Sequence, residues 1–305
     1  MVDKIAILMS TYNGEKYIRK QLDSIINQTV ANDIHLYIRD DGSSDSTIQI
    51  INEYENRIKM SFIIGNNIGP AHSFWQLFMN PDIQAEYYAF CDQDDIWDPN
   101  KLEKAIIKLQ ENDDESVLYC SNCRIIDSDD NVIEKQMYVE SPLFTIISQF
   151  VCGTTQGCAM VFNNKLREYI QKKEVKSFPM HDFVLMTYAI VAGSVKYDNE
   201  PSFGYRVHSG NVVVKNGKNT IKRIHGSLIN WFSKKHRNEL THYAEILYKD
   251  NLKYLDENTK QYIETFVNSK NNFIDRIRII KNKETTSTNK RAERSFKIRV
   301  VLGII

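Results

Sequence analysis

The chain has 305 residues, 42% of them hydrophobic, enough for one large core and a smaller appendage, and its 39 Lys+Arg cancel its 39 Asp+Glu. The zero hides a division, because 19 basic residues face 30 acidic ones up to position 214 and 20 face 9 beyond it, so about −11 is followed by about +11. No run approaches the roughly 18 apolar residues that cross a bilayer, and five cysteines, an odd number, argue for buried thiols rather than a disulfide framework.

The first hundred residues alternate short apolar runs with helical patterns. Ile5–Met9 is a strand stopped by Ser10-Thr11-Tyr12-Asn13-Gly14, and a helix follows over about Glu15–Gln28. Ile34–Ile38 is a second strand, stopped by Asp40-Asp41-Gly42-Ser43-Ser44, with a helix over Ser46–Tyr54. Met60–Ile64, a helix over Ala71–Phe78, and the wholly apolar strand Tyr87–Cys91 come next. This alternation predicts an α/β fold with a mainly parallel sheet flanked by helices, in which ligands bind where strands end. Every polar cluster named here directly follows a strand.

A helix over Asp98–Leu109, strands at Ser116–Cys120, Arg124–Ile126 and Ala159–Phe162, a helix over Asp182–Val191 and a strand at Ser194–Tyr197 complete the pattern. Beyond about Val214 the texture turns helical and Lys/Asn-rich, which sets a boundary between residues 1–214, with a nucleotide-sugar half at 1–120 and an acceptor half at 121–214, and a basic helical region at 215–305. Lys283–Arg291 is polar enough to be mobile. Cys120-x-x-Cys123 offers half a zinc site with no second pair at a suitable distance.

Asp92-Gln93-Asp94-Asp95 brings three carboxylates to the end of a buried strand. Such carboxylates repel unless one is protonated or a cation neutralises them, and a hard divalent ion, Mg²⁺ or Mn²⁺, suits oxygen ligands shared with phosphate. A calcium loop starting at Asp92 is excluded, because Trp97 falls where that loop requires glycine. A solvated loop leading to a helix cap at Asp98 is the plainer alternative. Asp40 and Asp41 suit a helix-capping turn as well, yet two consecutive acids exceed what a cap needs, and a pyrimidine N–H or ribose hydroxyl would use the surplus. Tyr12 is able to stack a base. Arg206 and His208, two apart on an extended segment, face the same way, so Arg206 is a candidate clamp for diphosphate and His208 for the metal or the leaving phosphate.

Taken together, "MSTYNGEKY", "RDDGSSDST" and "FCDQDDIWDPNKLEKA" resemble the inverting family 2 glycosyltransferases of the GT-A fold, and "DQDDIW" with the later "MHDF" resembles the rhamnosyltransferase-like members of polysaccharide clusters. The resemblance covers residues 4 to 214. It implies that Thr11, Tyr12, Asn13, Asp40, Asp41 and Gln93 hold the nucleotide-sugar, that Asp92 and Asp94 hold metal and diphosphate with Asp95 close by, and that Asp182 is the catalytic base. Without it, Asp182 reads rather as a helix cap beside an ordinary histidine. Many related sequences have Trp after this Asp where this one has Phe183, which bears on the acceptor pocket, and Gly157–Met160 resembles the strand lining the acceptor side.

The implied reaction moves a sugar, rhamnose for instance, from a dTDP- or UDP-sugar to a lipid-linked saccharide acceptor on the cytoplasmic face of a membrane. A sugar-nucleotide pyrophosphorylase is disfavoured because Ile7–Tyr12 lacks a Gly-rich basic loop, an oxidoreductase because G-x-G-x-x-G is missing, and an inactive scaffold by the intact acid set. At Lys218–Lys235, Ile221, Ile224, Leu228 and Trp231 share a helical face among basic residues, suited to packing on the catalytic region or to an anionic membrane surface. No nucleic-acid motif is present, and the oligomeric state is left open.

Overall fold

A computed structural model describes residues 2–111, 115–208 and 239–305. Its centre is one mixed sheet in the order β3-β2-β1-β4-β8-β6-β9-β5, with β7 paired to β6. The strands are β1 (Asp3–Thr11), β2 (Ile34–Asp40), β3 (Met60–Ile64), β4 (Ala85–Cys91), β5 (Ile96–Trp97), β6 (Val117–Ile126), β7 (Val132–Glu134), β8 (Met160–Asn163) and β9 (Ser194–Arg206). The first four in sheet order are parallel. Reversed β8 joins β4 to β6, and β6 pairs parallel with β9. The expected α/β sheet flanked by helices is present, its parallel part at β3-β2-β1-β4 and its second half mixed.

Ile5 to Met9 have no exposed surface, so both faces of β1 are covered. Buried parallel strands read as unbroken apolar runs for this reason. The covering helices include α1 (Ile18–Ile26), α2 (Thr47–Asn52), α3 (Pro70–Met79) and α4 (Lys101–Gln110). Pro70 starts α3 after Gly69, whose φ of 82° suits glycine.

The second half holds α5 (Ile146–Val151), α6 (Asn164–Gln171) and α7 (His181–Ala192). Two expectations change here. The strands read at Ser116–Cys120 and Arg124–Ile126 are one strand, β6, and the strand read at Ser194–Tyr197 continues to Arg206. The β6–β9 register shifts between Ser121 and Asn122, opposite Asp198 and Pro201. An irregularity of this kind accommodates a proline, which has no N–H for the ladder.

The carboxy-terminal helices are α8 (Glu239–Asn251), α9 (Glu257–Asn268), α10 (Phe273–Lys281) and α11 (Lys290–Leu302). Tyr243, Leu247, Phe266, Phe296 and Val300 join the same buried cluster as the sheet, and Phe150 of α5 stacks on Phe266 at 5.1 Å. The boundary at Val214 and the helix read at Lys218–Lys235 lie outside the described residues. Lys283–Arg291 is not loose, since Thr285 and Ser287 are buried and Asn289 caps α11. No described helix is long and apolar enough to cross a membrane.

Candidate active site

Because β1, β2 and β4 run parallel side by side, their carboxyl ends meet at one rim, with Thr11 beside Asp40 and Met9 beside Cys91. Asp40 is completely buried and accepts hydrogen bonds from Thr11 Oγ1 (2.8 Å), Ser43 Oγ (2.6 Å) and the amides of Gly42 and Ser43 (3.1 and 2.7 Å). It therefore braces the loop, with Thr11 as its partner, and neither residue lines the cavity. Asp41 faces the cavity and is fixed from behind by Arg39 and by the amides of Ile68 and Gly69 (3.0 and 2.8 Å).

Gln93 accepts from the Tyr12 amide and donates to its carbonyl, both at 2.9 Å. Asn13, at φ 46°, accepts from the Ser44 amide at 2.9 Å while its own amide donates to Ser43 Oγ at 2.9 Å. Asn13 and Gln93 thus tie three loops together. Tyr12, 48% exposed, leaves its ring free to cover a base.

Burial and the neighbouring Asp94 push the Asp92 carboxyl up to about 7, and burial with Asp94 and Asp92 pushes Asp95 well above the carboxylate range. Asp95 Oδ2 has no hydrogen-bond partner among the described residues. Ligand atoms of Asp92, Asp95 and Cys158 lie within 4.8 Å of one another. The Cys158 thiol is itself pushed well up by burial and so stays protonated, a poor ligand for a hard cation. Carboxylates concentrated in this way suit a divalent cation, and Asp94 extends the group to His208, whose Nε2 lies 2.7 Å from its Oδ2.

Arg206 departs from expectation. Its side chain is fully buried at the end of β9, where Nε donates to the Asp94 carbonyl (2.7 Å), Nη1 donates to the Asp127 carbonyl (2.7 Å) and pairs with Asp130 (2.7 Å), and the guanidinium lies 4.6 Å from the Tyr17 ring centre. It positions the Asp94 loop from beneath instead of clamping diphosphate. His208, two residues on, does face the cavity beside Lys16 and Tyr17.

Asp182, in the first turn of α7, accepts from the Gly157 amide (3.1 Å) and the Phe183 amide (2.7 Å). Burial pushes its carboxyl up to about 6, against the pull of those amides. His181 beside it is buried and held neutral at about 3, stacked on Phe74 at 4.2 Å. A side chain on Gly157 would meet His181 Nε2 at 2.8 Å, so glycine is needed there.

Two cavities share a wall at Asp182. One, of about 410 Å³, is lined by Tyr12, Asp41, Asn67, Asp92 and Asp94. The other, of about 340 Å³, is lined by Tyr138, Leu143, Gln149, Phe183 and Asn289. Gln156, Met180, Asp182 and Tyr205 border both. The structure thus brings Tyr12, Asp41, Asp92, Gln93, Asp94 and Asp182 to one cavity and places His208 with Asp94 and Asn13 in an adjoining one, while Thr11, Asp40 and Arg206 lie behind the rim. Asn67, Gln156 and Tyr205 were not singled out from the sequence. Asn67, in the Gly65-Asn66-Asn67 turn after β3, was open to the same strand-end rule that found the other loops.

Residues 6–172 match the family model described as glycosyl transferase family 2. The chain is 30% identical over 262 residues to the dTDP-rhamnosyl transferase RfbG of Shigella flexneri, covering 79% of this chain and 85% of that protein. Residues 1–349 of S. aureus TarS, solved with UDP-GlcNAc, share the fold at TM-score 0.62 and 15% identity, covering 99% of this chain and 82% of that one. The mannosyltransferase PcManGT of Pyrobaculum calidifontis, solved with GDP-Man and Mn²⁺, does so at TM-score 0.53 and 11% identity, covering 98% and 86%.

Proposed function

The chain belongs to glycosyltransferase family 2, and from that premise we propose that it transfers a hexose from a nucleoside-diphosphate sugar to a saccharide hydroxyl with inversion, Asp182 acting as the base. The observation that carries this reading is the position of the Asp182 carboxylate in the wall between an acid-lined cavity and a largely apolar one.

Asp182 takes the proton of the acceptor hydroxyl as that oxygen bonds to the anomeric carbon. The bond from that carbon to the diphosphate oxygen breaks on the opposite side, and the diphosphate leaves with the electron pair through an oxocarbenium-like transition state. Asp41 and Tyr12 orient the nucleoside, and the Gly157 amide aims the base. The residues suited to hold Mn²⁺ or Mg²⁺ are Asp94, Asp92 and His208; such an ion, when bound, offsets the charge growing on the leaving diphosphate.

Of the dTDP- and UDP-sugar donors, dTDP-rhamnose is the one that the similarity to RfbG favours. A lipid-linked acceptor, a role in cell-surface polysaccharide and attachment at the cytoplasmic membrane face fit a further feature. Phe273 and Ile274 of α10 and Ile298, Val301 and Leu302 of α11 are exposed. Arg276 donates to the Val301 carbonyl at 3.2 Å, which brings these two helix ends together. Exposed Lys270, whose carbonyl accepts from Arg276, and Arg294, one turn before Ile298, supply positive charge, a combination suited to anionic lipid.

The test is transfer from a panel of nucleotide sugars with Mn²⁺, wild type against Asp182→Asn. The substitution should cut transfer at least a hundredfold while donor binding, read as a shift in unfolding temperature, persists. Equal transfer by both proteins would reject Asp182 as the base.

A further inference from the structure

We propose that the second cavity is the acceptor subsite, and that the loop joining α10 to α11, Ser287–Asn289, closes it and selects the acceptor sugar. This rests on the reading of Asp182 as the base, because the cavity lies on the side of that carboxylate away from Asp41 and Asp94. Its volume of about 340 Å³ is at the low end of small-ligand pockets, roughly 300–1,000 Å³, a size for a terminal sugar rather than a long chain.

The lining has the two features sugar recognition requires. Leu143, Met180 and Phe183 offer apolar surface to the C–H face of a ring. Polar groups with spare hydrogen-bonding capacity stand around it. Gln149 is 2% exposed, and its Oε1 accepts from the Thr154 amide and hydroxyl, both at 3.0 Å. Its NH₂ group has no partner among the described residues. The hydroxyl of Tyr205, which like Asp182 lines both cavities, has none either among the described residues. Asn289 uses Oδ1 to cap the Ala292 amide at 3.1 Å, which leaves its own NH₂ group available to the cavity.

The loop is held in place, as a selecting element must be. Thr285 Oγ1 donates to the Ile279 carbonyl (2.8 Å), the Ser287 amide donates to Glu293 (3.3 Å), and the Asn289 amide donates to Ser287 Oγ (3.1 Å). A rigid loop presents its donors without an ordering cost on binding. The carboxy-terminal helices thereby acquire a catalytic purpose: they carry one wall of the site, although the basic residues met in sequence concealed it.

The test uses the full chain with Mn²⁺ and a panel of octyl hexosides, with the nucleotide sugar that supports transfer as donor for the kinetic arm and UDP alone for the binding arms. Thr288→Trp, at an exposed position, should fill the opening and raise the KM for the hexoside acceptor at least tenfold. Asn289→Asp, which keeps the helix cap but loses the NH₂ group, should change the ranking of hexosides. The shift in unfolding temperature caused by UDP should stay as in the wild type for both. Independently, the thiol of Thr288→Cys should react with a maleimide several-fold more slowly when a hexoside is present, and not when UDP alone is. The proposal is overturned if no hexoside shields that thiol, if UDP shields it equally, or if Thr288→Trp transfers normally. Loss of the UDP shift in the wild type would instead count against the donor reading.

Discussion

Gln93 exchanges two hydrogen bonds of 2.9 Å with the backbone of Tyr12, so the loop after β4 and the loop after β1 behave as one unit. Gly14 makes room for this lock, since an added Cβ would lie 2.2 Å from Gln93 Oε1. Gly14→Ala should therefore displace Gln93 and loosen Tyr12. Two neutral hydrogen bonds are worth about 1–3 kcal/mol together, so UDP affinity should fall roughly tenfold or more, with a smaller change in melting temperature. Calorimetric titration with UDP checks it, and unchanged affinity would mean the lock has no part in donor binding.

The pH profile follows from Asp182. Burial raises its carboxyl to about 6, and a base must be ionised, so kcat/KM should rise with pH through about 6 and then level. Asp92 is raised to about 7, and protons compete there with a cation. At limiting Mn²⁺ the rising limb should consequently shift toward 7, and at saturating Mn²⁺ return toward 6. A profile flat from pH 5 to 8 at both concentrations contradicts the assignment of Asp182.

Arg206 separates a structural from a catalytic role. Its buried guanidinium satisfies the Asp94 and Asp127 carbonyls and pairs with Asp130. Asp130 is 34% exposed and also pairs with Lys20, so the cost lies mainly in the two carbonyls left without a donor, on the order of 1–3 kcal/mol each, and Arg206→Ala should lower stability by about 2–4 kcal/mol and release the Asp94 loop. A surface clamp on diphosphate would instead lose rate with stability intact. Chemical denaturation alongside kinetics distinguishes the two.

The sequence displayed the sheet plainly where strands are covered on both faces, as at Ile5–Met9 and Tyr87–Cys91, because such strands are unbroken apolar runs. It disguised β9, where Asp198-Asn199-Glu200-Pro201 looks like a turn but sits in the irregular β6–β9 pairing. It also hid α5, whose Ile146–Val151 is buried throughout and has no polar face to mark a helix. At the site, the convergence of Asp41, Asp92, Asp94 and Asp182 on one cavity was legible because each follows a strand or opens a helix. The inward turn of Asp40 and Arg206 was not, since type and spacing show which groups approach a rim but not which are used up by their own neighbours. Tyr205 precedes Arg206 in the sequence with nothing to mark it as a residue lining both cavities.

The membrane reading has its own measurement. Phe273, Ile274, Ile298, Val301 and Leu302 are exposed at one end of the α10–α11 pair. Replacing Val301 and Leu302 together by Asp should abolish co-sedimentation with vesicles containing phosphatidylglycerol while transfer to a soluble octyl hexoside continues. Salt should weaken the wild-type association through the basic rim. No binding of the wild type to such vesicles would remove this surface from the proposal.

The acid cluster also sets a cost to folding that can be measured without substrate. Asp92 titrates at about 7 in the folded chain against an ordinary 3.8. A raised carboxyl favours folding fully below the ordinary value, and this contribution is lost as pH rises through about 7. Above that, the charge is retained against burial and Asp94. Asp92→Asn should thus raise stability at pH 8 without metal, by on the order of 1–3 kcal/mol once screening is allowed for, and the gain should shrink toward pH 4. Mn²⁺ should stabilise the wild type at pH 8 by offsetting the same repulsion, and stabilise the variant much less. Transfer activity should fall in the variant, so the most stable form at pH 8 without metal would be an inactive one. If Asp92→Asn is instead less stable than the wild type at every pH, the carboxylate is paired in the fold rather than reserved for a cation.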